Sequence, residues 1–286
     1  MQKTIGIDIG ATKTLFCLLG GKRVLKKEKI QTPTNKKKLI KALKKNIKNL
    51  SSSKTKIGIA VPGILDYKNG VILKCPNLKY LNNLNLKKEL KANITIENDA
   101  NCFTLAESFL GAGKNEKIVL GITLGSGIGG GLVIKDKNKI KIYRGAFGGA
   151  GEIGHLTIKF DGQKCSCGNL GCFECYGSAK FFKRKGYSSK ELAEKTKKGD
   201  KKALKIFKEY GRYLGIGLSN AINLIDPEVI VIGGGISKSW PYFLAETKKE
   251  IKKRTFSPFS KKIIKVKISK LGKLAGAIGA GLITNL

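Results

Sequence analysis

The stretch KTIGIDIGATKTLFCLL, residues 3–19, reads as a strand, a Gly-Ala-Thr turn and a return strand. Gly10 supplies the backbone freedom that so tight a reversal needs. Gly20-Gly21 then turns into a third strand, Val24 to Ile30, so the chain opens as a three-strand antiparallel meander. KIVLGITLGSGIGGGLVIK, residues 117–135, repeats the logic: a strand to Leu124, a Gly-Ser-Gly tip, and a return strand from Gly131. A third strand follows at Lys139 to Tyr143. Two hairpins with glycine-bearing tips, each carrying a hydroxyl residue, indicate a structural duplication into two related lobes.

Elements around the hairpins agree with α/β layers, each lobe a mixed sheet flanked by helices. Asn35 to Leu50 is helical, with Leu39, Ile40, Leu43, Ile47 and Leu50 on one face and lysines on the other. Strands are expected at Lys56 to Val61 and Ile94 to Glu97, and a helix from Ala100 to Leu110. Gly111-Ala112-Gly113 breaks that helix, which sets a first lobe of residues 1–112 and a second of 113–270. The second lobe continues with helices at Ser189–Lys198, Lys201–Leu224 and Trp240–Arg254, and strands at Val229–Ile232 and Ile263–Ile268. A last helix, Leu271 to Ile283, is assigned with residues 271–286 to the first lobe.

A chain of 286 residues suggests about two domains and can bury a core without disulfide staples. The longest uncharged run, Ile118 to Ile134, holds six glycines and does not read as a membrane span. The first apolar run is interrupted at Asp8, unlike a signal peptide, so the expected compartment is the cytoplasm. The formal net charge is +36, yet only five of the 56 basic residues are arginine. Bidentate recognition of bases and phosphates favours arginine, so the scattered lysines read as a solvated surface and no specific nucleic-acid partner is expected.

Three loops have the character of phosphate-handling turns. Asp8-Ile9-Gly10-Ala11-Thr12-Lys13 offers backbone N–H groups, a hydroxyl and an ammonium, and Asp8 could hold the hydration shell of Mg²⁺. Gly125-Ser126-Gly127 opens a run of glycines to Gly131 that a plain hairpin does not need, which favours backbone approach to a ligand. Gly233-Gly234-Gly235 follows a buried strand and precedes a helix, where an open α/β layer places a nucleotide. The spacing is neither that of a Rossmann fingerprint nor that of a Walker loop.

Cys165, Cys167, Cys172 and Cys175 fall within eleven residues, and His155, the sole histidine, precedes them. One imidazole and three thiolates make a Cys₃His set suited to structural zinc. Cys175 is a rival fourth ligand, and spacing leaves a Cys₄ site open. Among the carboxylates, Asp99 begins a helix and reads either as its N-cap or as a base aimed into a cleft. Glu152 and Glu174 flank the cysteine cluster, where a bound ion would fix them as acceptors for a polyol or leave them as solvated loop acids.

Taken together, these stretches resemble the ROK (repressor, open reading frame, kinase) family of sugar kinases, within the actin-like ATPase, ribonuclease H-like fold. The carriers are DIGATKT from Asp8, AVPG from Ala60, ENDAN from Glu97, TLGSGIGGG from Thr123, GEIGH from Gly151, CSCGNLGCFE from Cys165 and VIGGG from Val231. They span essentially the whole chain. The resemblance implies a sugar kinase, with Asp99 taking the proton of a sugar hydroxyl that attacks the γ-phosphate of ATP. It implies that Asn98, Glu152, His155 and Glu174 bind sugar hydroxyls, that Gly63 lines the sugar pocket, and that Asn77 is a further candidate there. It assigns zinc to His155, Cys165, Cys167 and Cys172, the phosphates to the two hairpin tips with Mg²⁺, and adenosine to Gly233–Gly235. It also implies a homo-dimer or homo-tetramer.

The chain departs from the family pattern at Ala11, Ser126, Cys175 and Tyr176, and across residues 181–202. Glucose is the first expectation for the sugar, because the binding set resembles glucokinases. Kinases for N-acetylmannosamine, N-acetylglucosamine, fructose and mannose share that set. The competing readings are a DNA-binding regulator, a sugar sensor without catalysis, and a kinase using polyphosphate. Family regulators carry a helix-turn-helix ahead of the kinase-like part, whereas the first strand here starts near residue 3. Asp8, Asp99 and both tips favour catalysis, and the glycine loops favour ATP as donor.

Overall fold

A computed structural model describes residues 2–50, 55–136 and 139–286. The opening meander is formed by β1 (Lys3–Ile9), β2 (Lys13–Gly20) and β3 (Arg23–Gln31). β1 and β2 pair antiparallel with Thr4 opposite Leu19 and Ile9 opposite Thr14. The amphipathic α1 (Lys36–Leu50) buries Leu39, Ile40, Leu43 and Leu50. β4 (Lys56–Val61) lies parallel to β1. Next come three strands of two to four residues, β5 (Ile64–Asp66), β6 (Val71–Lys74) and β7 (Leu84–Asn85), and the short α2 (Leu86–Leu90). β8 (Ile94–Asn98) pairs in parallel with β4 and runs directly into α3 (Asp99–Leu110).

The second half contains β9 (Ile118–Leu124), β10 (Ile128–Asp136) and β11 (Lys139–Ile142), then α4 (Phe173–Gly177), α5 (Ala179–Arg184), α6 (Ser189–Lys197) and α7 (Lys201–Ile225). β12 (Val229–Gly233), α8 (Trp240–Arg254), α9 (Pro258–Ile263), β13 (Lys265–Ile268) and α10 (Ala275–Ile283) complete the chain. The last strand is shorter than the sequence suggested, because Ser257 caps a helix at Ser260 N and Pro258 occupies its first turn. The two large sheets have the orders β3-β2-β1-β4-β8 and β11-β10-β9-β12-β13. Each is a meander extended by two strands beyond its first strand, which is the duplication read from the two hairpins.

The chain divides into two compact units, Met1–Lys114 with Gly131–Ala150 and Leu271–Leu286, and Asn115–Gly130 with Gly151–Lys270. In the first unit, small residues let α10 approach the backbones of the sheet and of α3. A Cβ on Gly6 would overlap Ala277 O, one on Gly58 would overlap Ala280 O, and one on Gly279 would overlap Cys102 O. In the second unit, Phe181, Phe182, Phe207, Tyr210 and Phe243 are fully or nearly fully buried in one core. Phe181 and Phe182 lie edge to face at 5.3 Å, and Tyr210 donates to Gly177 O at 2.8 Å. Residues 181–202 thus supply core aromatics and a capped helix, with Ser188 and Glu191 forming a capping box. Among the described residues no helix is long and apolar enough to cross a membrane.

Candidate functional site

In the first unit, β1 delivers Asp8 to the start of the β1–β2 tip. Gly10 N donates to Lys13 O at 3.1 Å, closing the turn. Thr32, at the end of β3, clamps it: its hydroxyl donates to Gly10 O at 2.7 Å and meets the Thr14 hydroxyl at 2.9 Å. Thr12 and Lys13 remain exposed on this fixed turn. α10 supplies Gly276 beside the Asp8 carboxylate, where a Cβ would collide with Oδ2. Burial, with the charge of Asp99 nearby, pushes the Asp8 carboxyl up to about 7. A buried carboxyl raised further by a neighbouring carboxylate suits a bound divalent cation.

Asn98, not Asp99, caps α3. Its side-chain oxygen accepts Ala100 N at 2.9 Å and Asn101 N at 3.2 Å. Asp99 is the first helical residue, half-buried, with Oδ1 accepting Ala100 N at 2.9 Å. The Asn98 amide also donates to Gly63 O at 3.2 Å, so the structure joins these two predicted sugar residues. Gly63 has φ +125°, and a Cβ there would overlap Lys74 O. Burial pushes the Cys75 thiol up and the charge of Asp99 adds to the shift, placing the Cys75–Leu78 turn near that carboxylate. Asn77 sits exposed within this turn.

In the second unit, Gly125 N donates to Gly127 O at 3.0 Å across the β9–β10 tip. Glu174, from α4, accepts Ile128 N at 3.0 Å and binds the Lys180 ammonium at 2.6 Å. Packing explains two glycines of this run: a Cβ on Gly127 would strike Glu174, and one on Gly130 would strike Gly151 O. Gly125 has open space around its Cβ position, as does Gly235. Gly234 has φ +87° and packs against Leu124. Beside the tip lies a cavity of about 630 Å³ lined by Ser126, Ala179, Lys180, Lys183, Gly186, Tyr187 and Ser188. Its two lysines suit an anionic ligand.

The metal candidates converge in the same unit. One donor atom from each of His155, Cys165, Cys167 and Cys172 lies within 4.8 Å of the others. The Cys167 and Cys172 sulfurs are 3.6 Å apart, and His155 Nδ1 is 3.8 Å from Cys165 Sγ. A tetrahedral ion with bonds of about 2.3 Å to sulfur sets edges of roughly 3.7 Å, so this donor set fits zinc. Burial alone would raise the Cys165 thiol, but hydrogen bonds from Cys167, His155 and Cys172 bring it down to about 6. Cys175 is outside the set and directs its sulfur to Lys164 O at 3.8 Å. Glu152 is exposed, and its Oε2 lies 3.9 Å from His155 Nε2.

The sequence signature described as ROK family spans residues 4–285. The chain belongs to the ROK family. It is 31% identical to the glucokinase of Halalkalibacterium halodurans, over 97% of this chain and 93% of that enzyme. It is 35% identical to the xylose repressor of Bacillus spizizenii, over 78% of this chain but only 59% of the repressor. The chain therefore matches less than two thirds of the length of that relative. The crystal structure of a ROK family glucokinase from Streptomyces griseus in complex with glucose and AMPPNP superposes with a TM-score of 0.83. That likeness covers 98% of each chain at 29% identity. The two sheets are accordingly those of the two-lobed α/β ROK fold, of actin-like ATPase type.

Several ROK-chain residues beside the site escaped the sequence reading. Thr32 clamps the first tip across 22 residues of sequence, a contact no local pattern reveals. Glu97 ends a strand and opens the ENDAN stretch, yet no role attaches to it in the sequence; it is fully buried next to Asn98. Arg144 pairs with it, and the scarcity of arginine in this lysine-rich chain was the available signal. Lys180 was likewise passed over among the 56 basic residues.

Proposed function

We propose that the chain is an ATP-dependent hexose kinase, with glucose to glucose 6-phosphate as the first assignment. The observation that carries this reading is Asp99. Asn98 supplies the helix cap, so the capping explanation for an acid at this position does not apply. In the proposed reaction, a sugar hydroxyl oxygen forms a bond to the γ-phosphorus as the bond to the ADP oxygen breaks. The hydroxyl proton passes to the Asp99 carboxylate. Asn98 and Gly63 in the first unit are proposed to hold sugar hydroxyls, with Asn77 a further candidate. Glu152, His155 and Glu174 are likewise proposed sugar-binding residues.

Gly10, Thr12 and Lys13, and Gly125, Ser126 and Gly127, are assigned to the phosphates, and Gly233, Gly234 and Gly235 to adenosine. Asp8 would hold Mg²⁺ through its water shell, and the ion would offset phosphate charge. His155, Cys165, Cys167 and Cys172 would hold zinc, which would rigidify the segment bearing Glu152 and Glu174. A coupled ADP-release assay over a sugar panel with Mg-ATP tests the reading. Turnover with one hexose and kcat/KM at least tenfold above the rest is expected, and no turnover with any sugar would reject it. A sugar-responsive regulator is the second reading, favoured by the likeness to the xylose repressor. It requires DNA binding at physiological salt that a sugar alters.

A further inference from the structure

The Glu97 carboxylate has no exposed surface, and donors from the start of α3 and from Arg144 converge on it. Oε1 accepts Asn98 N at 2.9 Å and Asn101 Nδ2 at 3.0 Å. Oε2 accepts Arg144 Nε at 2.8 Å and Nη2 at 2.6 Å, two charge-assisted bonds from one guanidinium to a single oxygen. The guanidinium lies 5.0 Å from the Tyr67 ring centroid. Arg144 starts a closed turn in which Ala150 N donates to Arg144 O at 3.1 Å. Gly148, at φ +79°, brings that turn against the Tyr67 ring. The turn leads straight into Gly151 and Glu152.

We infer that Arg144 is a positioning residue for the phosphoryl transfer proposed above, acting through Glu97 to fix the Asn98-Asp99 backbone. The inference rests on that functional reading. A buried carboxylate needs its charge partnered, but a pair of this kind is a poor route to stability alone. Its placement is more telling. One oxygen of Glu97 holds the amide of Asn98, whose neighbour is the base, and the other is held by Arg144. Removing the guanidinium leaves an unpaired buried charge one residue from Asn98 and frees that residue's anchor.

The test compares Arg144→Ala, Arg144→Lys and Glu97→Gln with the parent chain in sugar phosphorylation, thermal melting and amide hydrogen exchange. Misplacing a base by an ångström costs on the order of 100-fold. Arg144→Ala should therefore lose roughly 10- to 100-fold in kcat while the sugar KM moves less than threefold. Guanidinium ion should restore part of that kcat, and Arg144→Lys, with a single ammonium, should restore little. Amides of residues 97–101 should exchange faster in Arg144→Ala and slow again with guanidinium. Activity within twofold of the parent, or a loss that guanidinium leaves unchanged in a chain melting normally, would overturn the inference. If Arg144→Ala does not fold, Glu97→Gln takes its place, and parental kcat there would equally overturn it. A parent chain that phosphorylates no sugar would reject the functional reading instead. The exchange data would then decide the anchoring role by themselves, unaltered protection counting against it.

Discussion

Glu174 accepts the backbone N–H of Ile128 at 3.0 Å, so an acid next to the cysteine cluster holds the β9–β10 tip. Its other oxygen binds Lys180, which also reaches the Ser166 hydroxyl at 3.2 Å in the cysteine loop. One carboxylate thereby links the proposed metal segment to the proposed phosphate loop. Glu174→Ala should raise the KM for ATP roughly tenfold, in line with the 1.5–3 kcal/mol of a charge-assisted hydrogen bond. Initial rates over an ATP titration measure this, and an unchanged ATP KM would show that the tip does not depend on Glu174.

The glycines of that tip separate into two kinds. Gly127 is confined by Glu174, whereas Gly125 has open space where a Cβ would go. Gly125→Ala should melt within about 2 °C of the parent but bind ATP more weakly, since only a ligand would meet the new methyl group. Gly127→Ala should lower the melting temperature as well, by the several degrees that about 1–3 kcal/mol of overpacking produces. Equal melting of the two variants would contradict the packing explanation.

Metal content tests the cysteine cluster directly. The parent chain should hold one zinc ion by elemental analysis, Cys175→Ser should keep it, and His155→Ala should lose most of it. The Cys175 sulfur faces Lys164 O rather than the four converging donors. Stripping the ion with a chelator should lower the melting temperature, because binding energy is also folding energy in such a loop. Zinc retained in His155→Ala and lost in Cys175→Ser would identify a Cys₄ site instead.

Asp8 ties stability to pH. Its carboxyl titrates near 7 in the native chain against an ordinary value of 3.8. The native state therefore binds the proton more tightly, and this contribution to stability is fully present below about pH 4. It declines as pH rises and is lost above about pH 7. Without nucleotide or Mg²⁺, Asp8→Asn should raise the melting temperature more at pH 8 than at pH 5. The same increment at both values would show that Asp8 is not desolvated.

Much of the architecture was legible because it is written in local pattern. The paired hairpins gave matching sheets, and the spacing of Leu39, Ile40, Leu43 and Leu50 gave α1. The donors of the metal cluster lie close in sequence, so their types and spacing announced them. What stayed hidden depends on contacts distant in sequence. β5, β6 and β7 are too short to show periodicity. The Glu97–Arg144 pair joins residues 47 apart. The glycine run after Leu124 was read as ligand approach, but Gly127 and Gly130 are small because Glu174 and Gly151 press on them. Asp99 was weighed as an N-cap, a role that its neighbour Asn98 fills.

The central claim is that Asp99 is the base in hexose phosphorylation, and kcat of Asp99→Asn with Mg-ATP and the preferred hexose tests it most directly. The substitution keeps size and helix position, so melting temperature and zinc content should match the parent. A fall in kcat of about 100- to 10,000-fold is the result the account predicts. Turnover within tenfold of the parent, in a chain that folds and holds its metal, would contradict it.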